Sequence, residues 1–413
     1  MIILFLASGL FLGWSLGAND AANVFGSAVG SKMVTFRKAA ITASVFVILG
    51  AVIQGAGASD TLGKLGSVNA IGGSFTVALA AGVTVYLMTK FALPVSTTQA
   101  IVGAIIGWNL FTGNPTGSRA LFQIVSTWIS GPLLGAVFAI VLYIILKTIK
   151  KNSSVHLVRF ESYIRTGLLL AGAFGAYSLG ANNIANVVGV FIPAFNLKPL
   201  DLGIFSFSSS QQLFLLGSMA IAAGILTYSK RVMEQVGNNI MQLSSEAALV
   251  VVLAQALVLF IFSSSGFSSF VERIGLPPVP MVPVSGTQVA IGSIIGIGLY
   301  KGAGNINFRI LGEIGAGWAL TPLFSGILAF FSLFFVKNIF SIDVGHKTEG
   351  ILDPVIQNFQ PVQSDPRISE IIHYLIPGLM IGGVAAVILF YFLERRRKKE
   401  FRISEEKFWK NLK

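Results

Sequence analysis

WSLGANDAANVFG, from Trp14 to Gly26, returns 163 positions later as YSLGANNIANVVG, from Tyr177 to Gly189. A second pair, PVSTTQAIVGAIIG from Pro94 and PVSGTQVAIGSIIG from Pro283, is separated by 189 positions. A third is looser: Arg119, Trp128 and Pro132 are matched by Arg309, Trp318 and Pro322, 190 positions on. Three pairs in the same order mean an internal duplication. The chain therefore reads as two homologous halves, 1–148 and 159–337, joined by a connector at 149–158 and followed by a tail.

Composition places both halves in a membrane. Of 413 residues, 54% are hydrophobic and 11% charged, and the mean hydropathy is +0.78. Soluble domains carry roughly 25% charged residues, so much of this surface must face hydrocarbon. Most apolar runs are long enough to span. The runs near residues 100 and 287 fall short of the ~20 residues that a helix rising 1.5 Å per residue needs to cross, which makes them candidates for half-helices or hairpin arms. Glycine is abundant at 45 residues and recurs at four-residue spacing, as in Gly13 and Gly17, Gly103 and Gly107, and Gly292 and Gly296. In lipid, such spacing lets helix backbones approach and gain dispersion contacts.

Other classes recede on the same grounds. With no Cys, neither a disulfide framework nor a thiolate metal site can form. The net charge of +12 is densest at Arg395-Arg396-Arg397-Lys398-Lys399, directly after an apolar segment, which signals topology and not a nucleic-acid partner. The opening MIILFLASG lacks a positive n-region, so a cleaved signal peptide is not expected.

Lys and Arg near segment ends favour the cytoplasm. Lys32, Arg37 and Lys38 put the end of the first segment inside; Lys147, Lys150, Lys151 and Arg159 do so for the connector, and Lys230 with Arg231 for a later loop. The N-terminus is then outside, and the second half begins on the opposite side from the first. The fold expected is an all-α polytopic bundle of two inverted repeats, with broken helices, re-entrant hairpin-like segments and about 10–12 membrane segments. An extracytoplasmic loop at 338–369, a final transmembrane helix at 370–393 and a basic cytoplasmic tail at 394–413 complete a multi-pass protein of the cell membrane.

Of 17 acidic residues, Asp20 alone lies deep within an apolar run. A carboxylate at that depth costs several kcal/mol unless it is paired, so it marks function. Asn19, Asp20 and Asn23 supply hard oxygen donors, with Gly17 placed to break the helix and free backbone carbonyls; such a set suits a small alkali cation. Asn182, Asn183 and Asn186 repeat the register with an amide in place of the acid. Asn in a membrane helix can also be interhelical glue, but a matched triplet in both halves points to a site.

PVSTTQ carries what an oxyanion needs. Pro94 ends one helix and Ser96, Thr97, Thr98 and Gln99 open the next, offering free N–H groups, the helix dipole and hydroxyl donors. Ser285, Gly286, Thr287 and Gln288 do the same in the other half. A single such motif is only an N-cap; two converging from opposite sides would clamp one small anion.

At these residues the sequence resembles the inorganic phosphate transporter family known as PiT, whose repeated signatures GANDAANVFG, GANNIANVVG, PVSTTQ and PVSGTQ match across both halves. The resemblance implies phosphate as substrate, symport with sodium or protons, and a homodimer. It places phosphate on Asp20, Ser96, Thr97, Thr98, Gln99, Ser285, Gly286, Thr287 and Gln288. Sodium would fall on Asn19, Asp20, Asn23, Ser96, Gln99, Asn182, Asn183, Asn186, Ser285 and Gln288. No cofactor is implied beyond sodium as coupling ion, and the partners are phosphate, sodium and lipid.

This chain departs from the family's pattern in having Asn183 where a second acid is common, and Gln99 and Gln288 where His often stands. His156, His346 and His373 lie near segment ends, outside the repeated motifs. Sodium thereby gains over proton as the coupling ion. Charge balance agrees, because phosphate and Asp20 are both negative and no Lys or Arg occurs in the Asn-rich or PVSTTQ and PVSGTQ pairs. Co-bound cations must neutralise them, and each ligand then lowers the other's desolvation cost. Three other readings remain. A sulfate permease is disfavoured because phosphate keeps a proton that an acceptor near Asp20 would take. An intramembrane hydrolase needs two acids or a zinc motif, so an enzyme is not expected. A phosphate sensor would differ in moving no substrate.

Overall fold

The computed structural model describes residues 2–90, 95–152, 156–195, 197–201, 206–239, 243–302 and 308–346. Pro94, His373, the expected final span at 370–393 and the basic tail at 394–413 lie outside the described residues, as does the expected loop beyond 346.

Helices dominate both halves. The first holds α1 (Ile2–Gly30), α2 (Phe36–Gln54), α3 (Ala56–Leu65), α4 (Ile71–Lys90), α5 (Thr97–Thr112) and α6 (Ser118–Asn152). The second holds α7 (Leu157–Val188), α8 (Ser209–Thr227), α9 (Ser229–Asn239), α10 (Ser245–Ser263), α11 (Ser265–Arg273), α12 (Gly286–Tyr300) and α13 (Phe308–Asn338). Pairing α1 with α7, α2 with α8, α3 with α9, α4 with α10, α5 with α12 and α6 with α13 leaves three additions in the second half. A 3-10 turn (Gly189–Ala194) and a two-residue ribbon, β1 (Leu200–Asp201) against β2 (Ser206–Phe207), precede α8, and α11 precedes α12. They explain why the repeat offset grows from 163 at Gly17 to 173 between Phe36 and Ser209 and to 189 between Ser96 and Ser285.

The helices α2, α4, α6, α8, α10 and the stretch Leu311–Asn338 of α13 are long and apolar enough to cross a membrane. The short runs near 100 and 287 form α5 and α12, of 16 and 15 residues. At 1.5 Å per residue neither covers a ~30 Å hydrocarbon core, and both are buried along most of their length, so they are the inner arms expected of hairpins. The outward faces of α6 and α13 expose Phe122, Ile129 and Leu133, and Leu323, Ile327 and Phe331, a surface suited to lipid.

One expectation is corrected. Helix α1 runs unbroken through Gly17, and α7 through Gly180. These glycines serve contact, since a side chain at Gly17 would overlap the Ile221 carbonyl of α8 and one at Gly180 the Val47 carbonyl of α2. The broken helices are the neighbours, interrupted between α2 and α3 at Gly55 and between α8 and α9 at Tyr228.

The same contacts show that the halves are interlocked. Helix α1 packs on α8 and α7 on α2; α5 lies against α13 and α12 against α6. Gly103 meets the Pro322 carbonyl and Gly292 the Pro132 carbonyl in mirrored fashion. Each half thus builds its core with helices of the other, which places α1, α7, α5 and α12 together at the centre. At one edge, the start of the expected extracytoplasmic loop straps onto the α4–α5 hairpin, with Trp108 Nε1 donating to the Val344 carbonyl at 2.7 Å and Asn69 Nδ2 to that of His346 at 3.0 Å.

Candidate functional site

Each half of the site is built on a helix start. Ser96 and Ser285 lie in extended backbone just before α5 and α12, and their hydroxyls accept the N–H of Gln99 (3.2 Å) and Gln288 (3.3 Å). That satisfies one orphan donor per helix; the other first-turn N–H groups have no intrahelical partner. Thr97, Thr98, Gln99, Gly286, Thr287 and Gln288 are all buried.

Against each helix start stands an Asn-rich turn. In the first half Asn19 Nδ2 donates to Asp20 Oδ1 at 2.7 Å and reaches the Val95 carbonyl at 3.4 Å. In the second, Asn182 Nδ2 donates to Asn183 Oδ1 at 3.1 Å and to the Val284 carbonyl at 2.7 Å. Three further bonds cross between halves, two of them from amides: Asn23 Nδ2 donates to Thr287 Oγ1 (2.9 Å) and Asn186 Nδ2 to Thr98 Oγ1 (3.0 Å). Thr287 Oγ1 in turn donates to the Val95 carbonyl at 3.0 Å. All fourteen residues that the sequence singled out therefore belong to one cluster.

Its electrostatics are lopsided. Among the described residues Asp20, 3% exposed, is the only charged side chain that is buried. Among the described residues no lysine or arginine shares the cluster's buried interior. The Gln99 Oε1 atom is buried without a donor, and Gln288 Oε1 matches it in the other half. Acceptors left open in this way fit a hard cation, which needs oxygen ligands.

The second half differs in detail from the sequence expectation. Asn182 is tied at both ends of its amide to Val284, donating to the carbonyl and accepting the N–H at 3.0 Å. That backbone tie fixes which atom of Asn182 faces Asn183, and hence which atom of Asn183 answers: Oδ1, which also accepts from Asn186 Nδ2 at 3.0 Å. Both lone pairs of the Asn183 oxygen are used, and its buried Nδ2 has no partner. The oxygens open to a cation on this side are those of Asn186 and Gln288, and not those of Asn182 and Asn183. Asn183 presents a donor where Asp20 presents acceptors.

Some site groups carry no signal in the sequence. The Val95 and Val284 carbonyls act through the backbone, and Thr89 of α4 reaches Asn19 Oδ1 at 3.4 Å from a different repeat element.

The family model described as the phosphate transporter family matches residues 16–329, which covers most of both repeats and every residue of this cluster. The chain belongs to the phosphate transporter family. Its fold and family are those of a carrier and not of an enzyme. Relatives in the family include two proteins named "Putative phosphate permease". The one from Pyrococcus horikoshii is 26% identical, over 79% of this chain and 96% of its own length; the one from Haemophilus influenzae is 24% identical, over 81% and 96%. Among solved structures, one titled a sodium-dependent phosphate transporter aligns with a TM-score of 0.66 at 23% identity, covering 82% of this chain and 99% of that one. The fold is shared with that protein. Family membership and the apolar helices make this a multi-pass membrane protein of the family's transport class.

Proposed function

We propose that the chain imports inorganic phosphate by symport with sodium ions, with phosphate held between the starts of α5 and α12 and sodium held first of all beside Asp20. The observation that carries this is that, among the described residues, Asp20 is a buried carboxylate in a cluster without a buried Lys or Arg. An anionic substrate cannot join a buried carboxylate without neutralisation, because each desolvated charge disfavours the other. Bound sodium supplies it, so each ligand raises the other's affinity by the same factor. The open oxygens of Gln99 and Gln288 and the amides of Asn19 and Asn23 support the cation reading, and the fold-sharing protein is itself titled sodium-dependent. The motif histidines that a proton relay would use are absent from the sequence, where Gln99 and Gln288 stand instead. The resemblance and the Lys and Arg distribution add a homodimer with its N-terminus outside.

Reconstitution into proteoliposomes tests the coupling. Phosphate uptake should follow an imposed sodium gradient and collapse when sodium is replaced by choline. Uptake indifferent to that replacement and driven by a pH gradient would assign protons as the coupling ion.

A further inference from the structure

Three departures from the repeat symmetry fall together in the second half-site. Asn183 stands for Asp20 and Gly286 for Thr97. The third is Gln255 in α10, which corresponds to Ala81 of α4 when the two helices are aligned at their first residues, Ser245 and Ile71.

Gln255 sits in the apolar middle of a helix that packs against both α7 and α12. It is 1% exposed, and neither its Nε2 nor its Oε1 has a hydrogen-bond partner. A methyl group added at Gly286 would lie 3.3 Å from Nε2, so the amide rests against the first residue of α12. The glycine leaves the room that the Thr97 side chain takes up in the first half. An amide buried with both atoms open calls for a ligand that both accepts and donates. The start of α12 beside it offers N–H groups to an anion.

We propose that Gln255 is a specificity-determining residue for the substrate anion. Its Nε2 donates to one oxygen of phosphate while its Oε1 accepts the P–O–H hydrogen of the monohydrogen form, and Asn183 Nδ2 donates alongside. Sulfate has no such hydrogen, and its oxygen would meet Oε1 lone pair to lone pair. A site that hydrogen-bonds a hydroxyl discriminates strongly against an analogue without one, because its own buried group is left unpaired. This assignment rests on the phosphate-carrier reading of the site.

The test uses the full chain in proteoliposomes at saturating sodium, with labelled phosphate uptake competed by sulfate and by arsenate, which keeps the hydroxyl. Gln255→Met preserves length and removes both hydrogen-bonding atoms; Gln255→Asn, which keeps the amide but withdraws it from Gly286, is the milder variant should the first fail to fold. The phosphate KM is expected to rise about tenfold and the preference over sulfate to fall about tenfold, with arsenate tracking phosphate and half-saturating sodium, titrated at saturating phosphate, unchanged. An unaltered phosphate-to-sulfate ratio overturns the proposal, whether it comes with a shifted sodium dependence, which would make Gln255 a cation ligand, or with only a lower melting temperature, which would make it packing. Failure of the unmodified chain to take up phosphate at all would overturn the carrier reading itself, and this one with it.

Discussion

Asn19, Asp20 and Asn23 in the first half and Asn182, Asn183 and Asn186 in the second share a register, a bond to the backbone before the facing helix, and a bond to a threonine of the opposite half. They differ in one atom's character. Where Asp20 offers carboxylate oxygens, Asn183 has its oxygen doubly occupied and leaves a buried N–H without a partner. On the proposed reading, symmetric geometry sets the cradle for the anion, and asymmetric charge sets where a cation is held. A carboxylate at 4 Å adds about 4 kcal/mol of Coulomb attraction for sodium at an effective dielectric near 20, before desolvation is subtracted, and an amide adds no comparable term.

The comparison breaks most visibly at the acid. Asp20→Asn makes the first triplet a copy of the second, and sodium-stimulated uptake should fall by more than about 100-fold, as expected from losing a several-kcal/mol interaction. Flux and sodium binding in the purified variant check this; an active carrier with ordinary sodium dependence would show that the asymmetry is irrelevant to coupling.

The threonines test the symmetric part. Thr98→Ala and Thr287→Ala each remove a hydroxyl from one helix start and cut a tie between halves, so each should weaken phosphate binding by about 1–3 kcal/mol. Calorimetric titration of both variants in sodium measures it. A response confined to one half would mean that the anion sits on one helix start only.

Asn183→Asp sharpens the comparison with the smallest effect. It gives the second half an acid and removes the unpartnered N–H, so transport should persist within a few-fold, with a displaced pH profile and a second tight sodium site. Sodium binding isotherms on this variant beside the unmodified chain decide it, and an unchanged isotherm would separate sodium affinity from the acid altogether.

Much of the site is legible in the order of residues alone. The Asn triplets and the PVSTTQ and PVSGTQ motifs stand out because they are polar, embedded in apolar runs, and present twice. Gln255 has only the first two of these properties. Without a counterpart in α4 it reads as one polar residue in an apolar helix, and only its lack of partners beside Gly286 gives it meaning. Thr89 is hidden for a similar reason, lying near a helix end where polar residues are ordinary.

By itself the sequence determined the membrane class, the duplication and the residues of the central cluster, because hydropathy, repeat offset and motif chemistry are properties of the chain read in order. The tertiary structure decided what those residues touch. It made Gly17 and Gly180 points of helix contact instead of helix breaks, moved the breaks to Gly55 and Tyr228, and threaded α1 onto α8 and α7 onto α2 so that each half completes the other. It also occupied the Asn183 oxygen through a bond network anchored on the Val284 backbone. In lipid, helix pairing is set by close packing of small residues and by which buried polar atom finds a partner across the bundle, and neither quantity is local in the sequence.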